Sequence, residues 1–140
     1  MAVYTKLTNK DILFLSNNYQ IDKVIKFEGI KKGIENTNYF LKTNKKKFIL
    51  TIFEKRVHKK DLPFFMNLMD KLNQKKIMCP KPLKNIKGKY LSTIKHKSAC
   101  IVTFLKGKDK AHLNYKNCFD VGKNIAKFHK ATSKIGLYRK

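Results

Sequence analysis

The best candidate for chemistry in this 140-residue chain is the run Gly33-Ile34-Glu35-Asn36-Thr37-Asn38, short and polar between β-type stretches. A glycine and small polar residues at such a junction let the backbone turn tightly. Its N–H groups can then be aimed at an anion such as a polyphosphate. The same glycine would also serve an ordinary hairpin, so the weight falls on what surrounds the loop.

The other residues that could carry chemistry are less well arranged. Cys79, Cys100 and Cys118 are odd in number, widely spaced and without a C-x-x-C pair, which suits buried thiols in a reducing compartment rather than a disulfide framework or a zinc site. His58, His96, His112 and His129 show no H-x-x-x-H or His/Cys ligand spacing. After Gly107 the acids are Asp109 and Asp120, and they do not form a catalytic pair.

The formal net charge of +24 first suggests a nucleic-acid partner. All but two of the 33 basic residues are Lys, however, and Arg56 and Arg139 are the exceptions. Arginine performs most bidentate phosphate and base recognition. The lysines are scattered, in runs no longer than Lys45-Lys46-Lys47. They read as solvated faces with non-specific polyanion affinity as a side effect, and specific nucleic-acid binding is not expected. No apolar run is long enough for a membrane span, and the start "MAVYTKLTNK" has no apolar core of a signal peptide. A cytoplasmic protein is the default expectation.

The elements that must position the loop follow from the pattern. Hydrophobic content of 42% with ten Phe argues for a folded core. Thr8 and Asp11 form a capping-box-like start to a helix ending near Asn18. Residues 24–30, 39–41 and 48–53 read as strands, the last two joined through Thr43-Asn44-Lys45-Lys46. Asp61 as N-cap and Pro63 in the first turn open a helix over 61–75, with Phe65, Leu68, Met69 and Leu72 as its apolar stripe. Cys79-Pro80-Lys81-Pro82 stops it. Strands are expected at 90–94 and 99–105, a break at Gly107, and a helix over 117–132 with Cys118, Val121, Ile125 and Phe128 on one stripe. The expected fold class is α+β: a five-stranded, mainly antiparallel sheet with one helix between its third and fourth strands. That is also the small lobe of the protein-kinase-like fold.

Taken in order, "MAVYT", "GIENTNYFL", "FILTIFEKRV", "DLPFFMNLM", "CPKPL", "IVTFLKG" and "VGKNIAKFHK" closely resemble the N-terminal part of bacterial homoserine kinases of the aminoglycoside-phosphotransferase-like family. The likeness runs nearly end to end, and its start matches the family's own, so an intact N-terminus is expected. It implies transfer of the ATP γ-phosphate to the side-chain hydroxyl of L-homoserine, in threonine biosynthesis, with Mg²⁺. It implies a nucleotide-binding lobe over residues 1–105, then a hinge and the start of a helical lobe over 106–140.

Carried across by position, the resemblance puts Gly33, Ile34, Glu35, Asn36 and Asn38 in the loop over the phosphates. Phe104, Leu105 and Gly107 fall at the hinge beside the adenine, and His129 is structural. Kinases of the wider fold place a Lys or Arg on the third strand, and the matching residue here is Thr51. Lys55, on the same face by period-two counting, and the adjacent Arg56 are candidate substitutes; two ordinary charges at a strand end is an equal reading. The 61–75 helix has no central Glu to pair with such a cation, and Phe65 stands near that place. The family's H-G-D…N loop and D-x-D-type segment, which orient the hydroxyl and hold Mg²⁺, are not in these residues. The resemblance therefore implies an N-terminal fragment, inactive alone. The other readings are a non-catalytic basic module for polyanions or nucleic acid, and a regulatory partner of a full kinase.

Overall fold

A computed structural model describes residues 3–55 and 57–138. The order is helix α1 (Asn9–Asn18), strands β1 (Val24–Gly29), β2 (Thr37–Thr43) and β3 (Lys47–Ile52), helix α2 (Leu62–Gln74), strands β4 (Ser92–Ile94) and β5 (Lys97–Thr103), and helix α3 (Tyr115–Thr132). Helix α1 opens as expected: Asp11 N–H donates to Thr8 Oγ1 at 3.3 Å, and Thr8 N–H donates back to Asp11 Oδ2 at 2.8 Å.

All neighbouring strands pair antiparallel, in the order β1-β2-β3-β5-β4. The imperfect alternation of β1 has a physical cause. The register shifts between Val24 and Lys26, so Ile25 is an extra residue in the ladder and its side chain is exposed.

Register assigns two faces to the sheet. Tyr39, Leu41, Phe48, Leu50, Ile52, Ala99 and Ile101 point to one side and form the main core with Ile12, Leu15 and Tyr19 of α1. Tyr19 OH donates to the Tyr90 carbonyl at 2.8 Å, and burial pushes its pKa up to about 12. On the opposite side Met66 of α2 packs on Cys100 and Val102, flanked by Ile49, Phe53, Phe65 and Met69. Burial likewise pushes the Cys100 thiol up to about 12, which makes it an inert core residue.

The entry to α2 differs from expectation. A 3₁₀ turn over Lys59–Asp61 runs straight into the helix, so Asp61 already has helical dihedrals and its side chain makes no capping bond. The buried positions of α2 are Leu62, Met66 and Leu72, so the stripe is rotated away from Leu68. Strand β4 begins two residues later than the sequence suggests. The β4–β5 turn is Lys95-His96, both at positive φ (46° and 62°), the pattern of a type I′ turn made without glycine or asparagine. Helix α3 begins at Tyr115 because Asn114 and Asn117 form a reciprocal cap, and none of its residues is buried.

Candidate functional site

Helix α2 covers only part of its side of the sheet. Beyond it, register places Lys26 and Glu28 of β1, and Asn38, Phe40 and Lys42 of β2, on the same face as Ile49 and Thr51. This uncovered strip runs the length of β2 and joins two expected site regions.

At one end is the chain leaving β5. Phe104 N–H donates to the Lys47 carbonyl at 3.2 Å, which extends the ladder one step past β5. Its ring stands edge-on to Phe40 at 5.4 Å between centroids. The Lys47 ammonium lies 6.0 Å from the Phe40 ring and 5.9 Å from the Phe104 ring, at the outer limit of a cation–π contact. Leu105 follows, exposed, where regular structure ends.

In the middle, Thr51 Oγ1 donates to Asn38 Oδ1 at 2.8 Å. That bond uses the oxygen of the Asn38 amide, whose nitrogen is a double donor.

At the other end lies the β1–β2 loop. Gly33 sits at φ 123°, a conformation that favours glycine, and Ile34 beside it is exposed. Asn36 Oδ1 accepts from Glu54 N–H at 3.3 Å, so this asparagine ties the loop to the end of β3. From Phe40 to Asn36 along the extended chain is roughly 13 Å. An aromatic end, a polar middle and a glycine-containing loop thus follow one another along one line.

The third-strand cation is not where counting by twos placed it. Strand β3 ends at Ile52 and the chain bends at Lys55, which is exposed, so strand alternation does not reach it. Arg56 lies outside the described residues. On α2 the helical position considered for a carboxylate is filled by Phe65, packed into the α2-side cluster. His129 is exposed on α3, beside the Phe128 ring. Among the described residues there is no group of three His, Cys, Asp or Glu that could hold a metal ion.

Sequence reasoning missed Phe40 as part of the strip, although its alternation with Asn38 carried that information. It also missed a polar cluster on the opposite face. Glu54 Oε1 accepts from Thr5 Oγ1 and Thr37 Oγ1, each at 2.7 Å, and its Oε2 pairs with Lys97 Nζ. The Glu54 side chain is 10% exposed. Burial alone would raise its pKa, but hydrogen bonds from Lys97, Thr37 and Thr5 and the Lys97 charge outweigh that and hold it below the ordinary carboxylate range. Nothing local announces a pair separated by more than forty residues.

Residues 26–139 match the phosphotransferase enzyme family, and the chain belongs to that family. Its relatives include the homoserine kinases of Beijerinckia indica (40% identical over 94% of this chain and 41% of that protein) and Bartonella tribocorum (39%, over 100% and 44%). The homoserine kinase of Hyphomonas neptunium is 37% identical over 99% of this chain and 42% of its own length. The chain thus spans about two fifths of these relatives and corresponds to their N-terminal part. A spectinomycin phosphotransferase solved with ADP and spectinomycin has the same fold, with a TM-score of 0.65 over 91% of this chain and 39% of that one, at 16% identity. The fold is therefore protein-kinase-like, as the element order implied. Among the described residues no helix is long and apolar enough to cross a membrane.

Proposed function

We infer that this chain is the nucleotide-binding part of a homoserine kinase, which transfers a phosphoryl group from ATP to the hydroxyl of L-homoserine. The uncovered strip along β2 carries this reading, because an aromatic end and a loop of backbone donors lie on one line at the spacing of a base and its phosphates. The adenine stands against Phe40, Phe104 and the Leu105 backbone. The Asn38 amide faces the sugar or the first phosphate, and the loop from Gly33 through Ile34 and Glu35 to Asn36 covers the phosphates. Lys55 directly follows the residue whose N–H binds Asn36, so its cation belongs to the rim of that loop. Residues 1–105 make up the lobe, and 106–140 lead into the part that binds the acceptor. The group orienting the acceptor hydroxyl and the ligands of Mg²⁺ come from sequence outside these 140 residues, in keeping with relatives more than twice as long.

The test is a chimera in which the remainder of the Beijerinckia indica homoserine kinase follows this chain. It is expected to form ADP in a homoserine-dependent manner, whereas the 140 residues alone form none. In the chimera, Lys55→Ala raises the KM for ATP, and replacing the turn residues Lys45 and Lys46 by alanine leaves it unchanged. Homoserine-independent turnover only, or turnover by the short chain freed of other kinases, overturns the reading.

A further inference from the structure

The segment before α1 lies across the back of the nucleotide loop. Tyr4 OH donates to the Ile34 carbonyl inside the loop at 3.0 Å. The backbone N–H groups of Tyr4 and Thr5 donate to Thr37 Oγ1 at 3.0 and 3.1 Å, where the loop enters β2. Thr37 is fully buried, and its hydroxyl proton goes to Glu54, so each bonding position of that oxygen is used. Thr5 Oγ1 donates to Glu54 and accepts from Lys97 Nζ at 2.8 Å, while the Thr5 carbonyl accepts from Tyr39 OH at 2.9 Å. Leu7 N–H donates to the same phenol oxygen at 3.1 Å. Gly29 adds to the fit: a Cβ there would lie 2.8 Å from a Val3 methyl, so the Val3 side chain or its neighbours would have to shift.

These bonds converge on the loop from behind. Ile34 is held by Tyr4, Thr37 by the Tyr4 and Thr5 amides, and Asn36 by the N–H of Glu54, whose carboxylate holds Thr5 and Thr37. A flexible loop would need ordering each time phosphates bind, and a loop already ordered binds them more tightly. We propose that residues Val3–Leu7 form a strap that sets the nucleotide loop, with Tyr4 and Thr5 as positioning residues for ATP that never touch it. This rests on the reading of the 33–38 loop as the phosphate loop.

The experiment uses the whole 140-residue chain and MgATP as the probe. Amide shifts of residues 33–38 during an ATP titration report affinity, and hydrogen exchange reports loop order. Tyr4→Phe removes one hydroxyl from a largely exposed ring, so the chain is expected to stay folded, with the melting temperature lowered by a few degrees at most. Exchange at residues 34–37 should rise roughly fivefold, the worth of one hydrogen bond, and ATP affinity should fall as the ordered fraction of the loop falls. Exchange across β3 should not change. Thr5→Ser, which keeps the hydroxyl, should behave as wild type, and Thr5→Val should loosen the loop further. Should Thr5→Val fail to fold, Tyr4→Phe decides alone. Loop exchange unchanged in Tyr4→Phe overturns the proposal, as does a loosened loop with unaltered ATP affinity. Absence of ATP-dependent shifts in the wild-type loop, seen before any variant is compared, overturns the nucleotide reading and this inference with it.

Discussion

Helices α2 and α3 carry apolar stripes of similar strength, yet their fates differ. Leu62, Met66 and Leu72 of α2 are buried, with Met66 against β5. On α3, Phe119, Val121, Ile125 and Phe128 all remain at least 39% exposed. Two hydrogen bonds tie its end back to α2: Lys71 Nζ to the Ile135 carbonyl at 2.8 Å and Lys75 Nζ to the Ala131 carbonyl at 2.7 Å. A helical hydrophobic period states that a face is to be covered. It does not state by what, and the sheet covers α1 and α2 only.

The sharpest way to break this contrast is a matched pair of truncations. Leu50→Ala, in the fully buried centre of β3, is expected to cost about 2–5 kcal/mol in denaturant unfolding. Ile125→Ala on α3 should stay within about 0.5 kcal/mol, the range for surface changes. Equal costs would mean that α3 is held by the sheet after all.

Glu54→Gln tests the polar cluster that joins four separate segments, and it should cost about 1.5–3 kcal/mol, the worth of a hydrogen-bonded charge. The sign of its pH dependence follows from the depressed pKa. The folded protein favours the carboxylate, so this contribution is present in full above the unfolded value of 4.5 and is lost as pH falls through the lower folded value. Acid titration of stability should therefore be flatter in Glu54→Gln than in wild type. An unchanged acid limb would show that the carboxylate contributes nothing through its charge.

The β4–β5 turn offers a smaller effect of opposite sign. His96 holds a positive φ at the second turn position, where glycine is favoured, so His96→Gly should stabilise by about 1 kcal/mol. Lys95 is the wrong choice for that test, because its ammonium also binds the Lys6 carbonyl and Asp11. The smallest effect belongs to the exposed Lys26–Glu28 pair: Glu28→Gln should change stability by less than about 0.5 kcal/mol, and only at low salt.

Reading the sequence alone goes furthest where interactions are local. The Thr8–Asp11 cap, the short apolar strand at 48–53 and a helix that does not pass Cys79-Pro80 are set by neighbours within a few residues, and each recurs in the fold. The order of elements, with the family resemblance, was enough to identify a kinase-like sheet. Two local expectations failed. The turn over Lys59–Asp61 displaced the Asp61 cap, and the end of β3 at Ile52 cut the alternation before Lys55.

Which lysine Glu54 meets, which strand neighbours β5, and which face of β2 stays open are different in kind. Pairing of β3 with β5 brings Lys97 to Glu54, and the Val3–Leu7 segment adds Thr5 to the same carboxylate. Composition and periodicity specify that a charge must be solvated or paired and that an apolar face must be covered. Only closure of the sheet decides the partner, because that choice depends on distances between residues dozens of positions apart, which no short window of sequence contains.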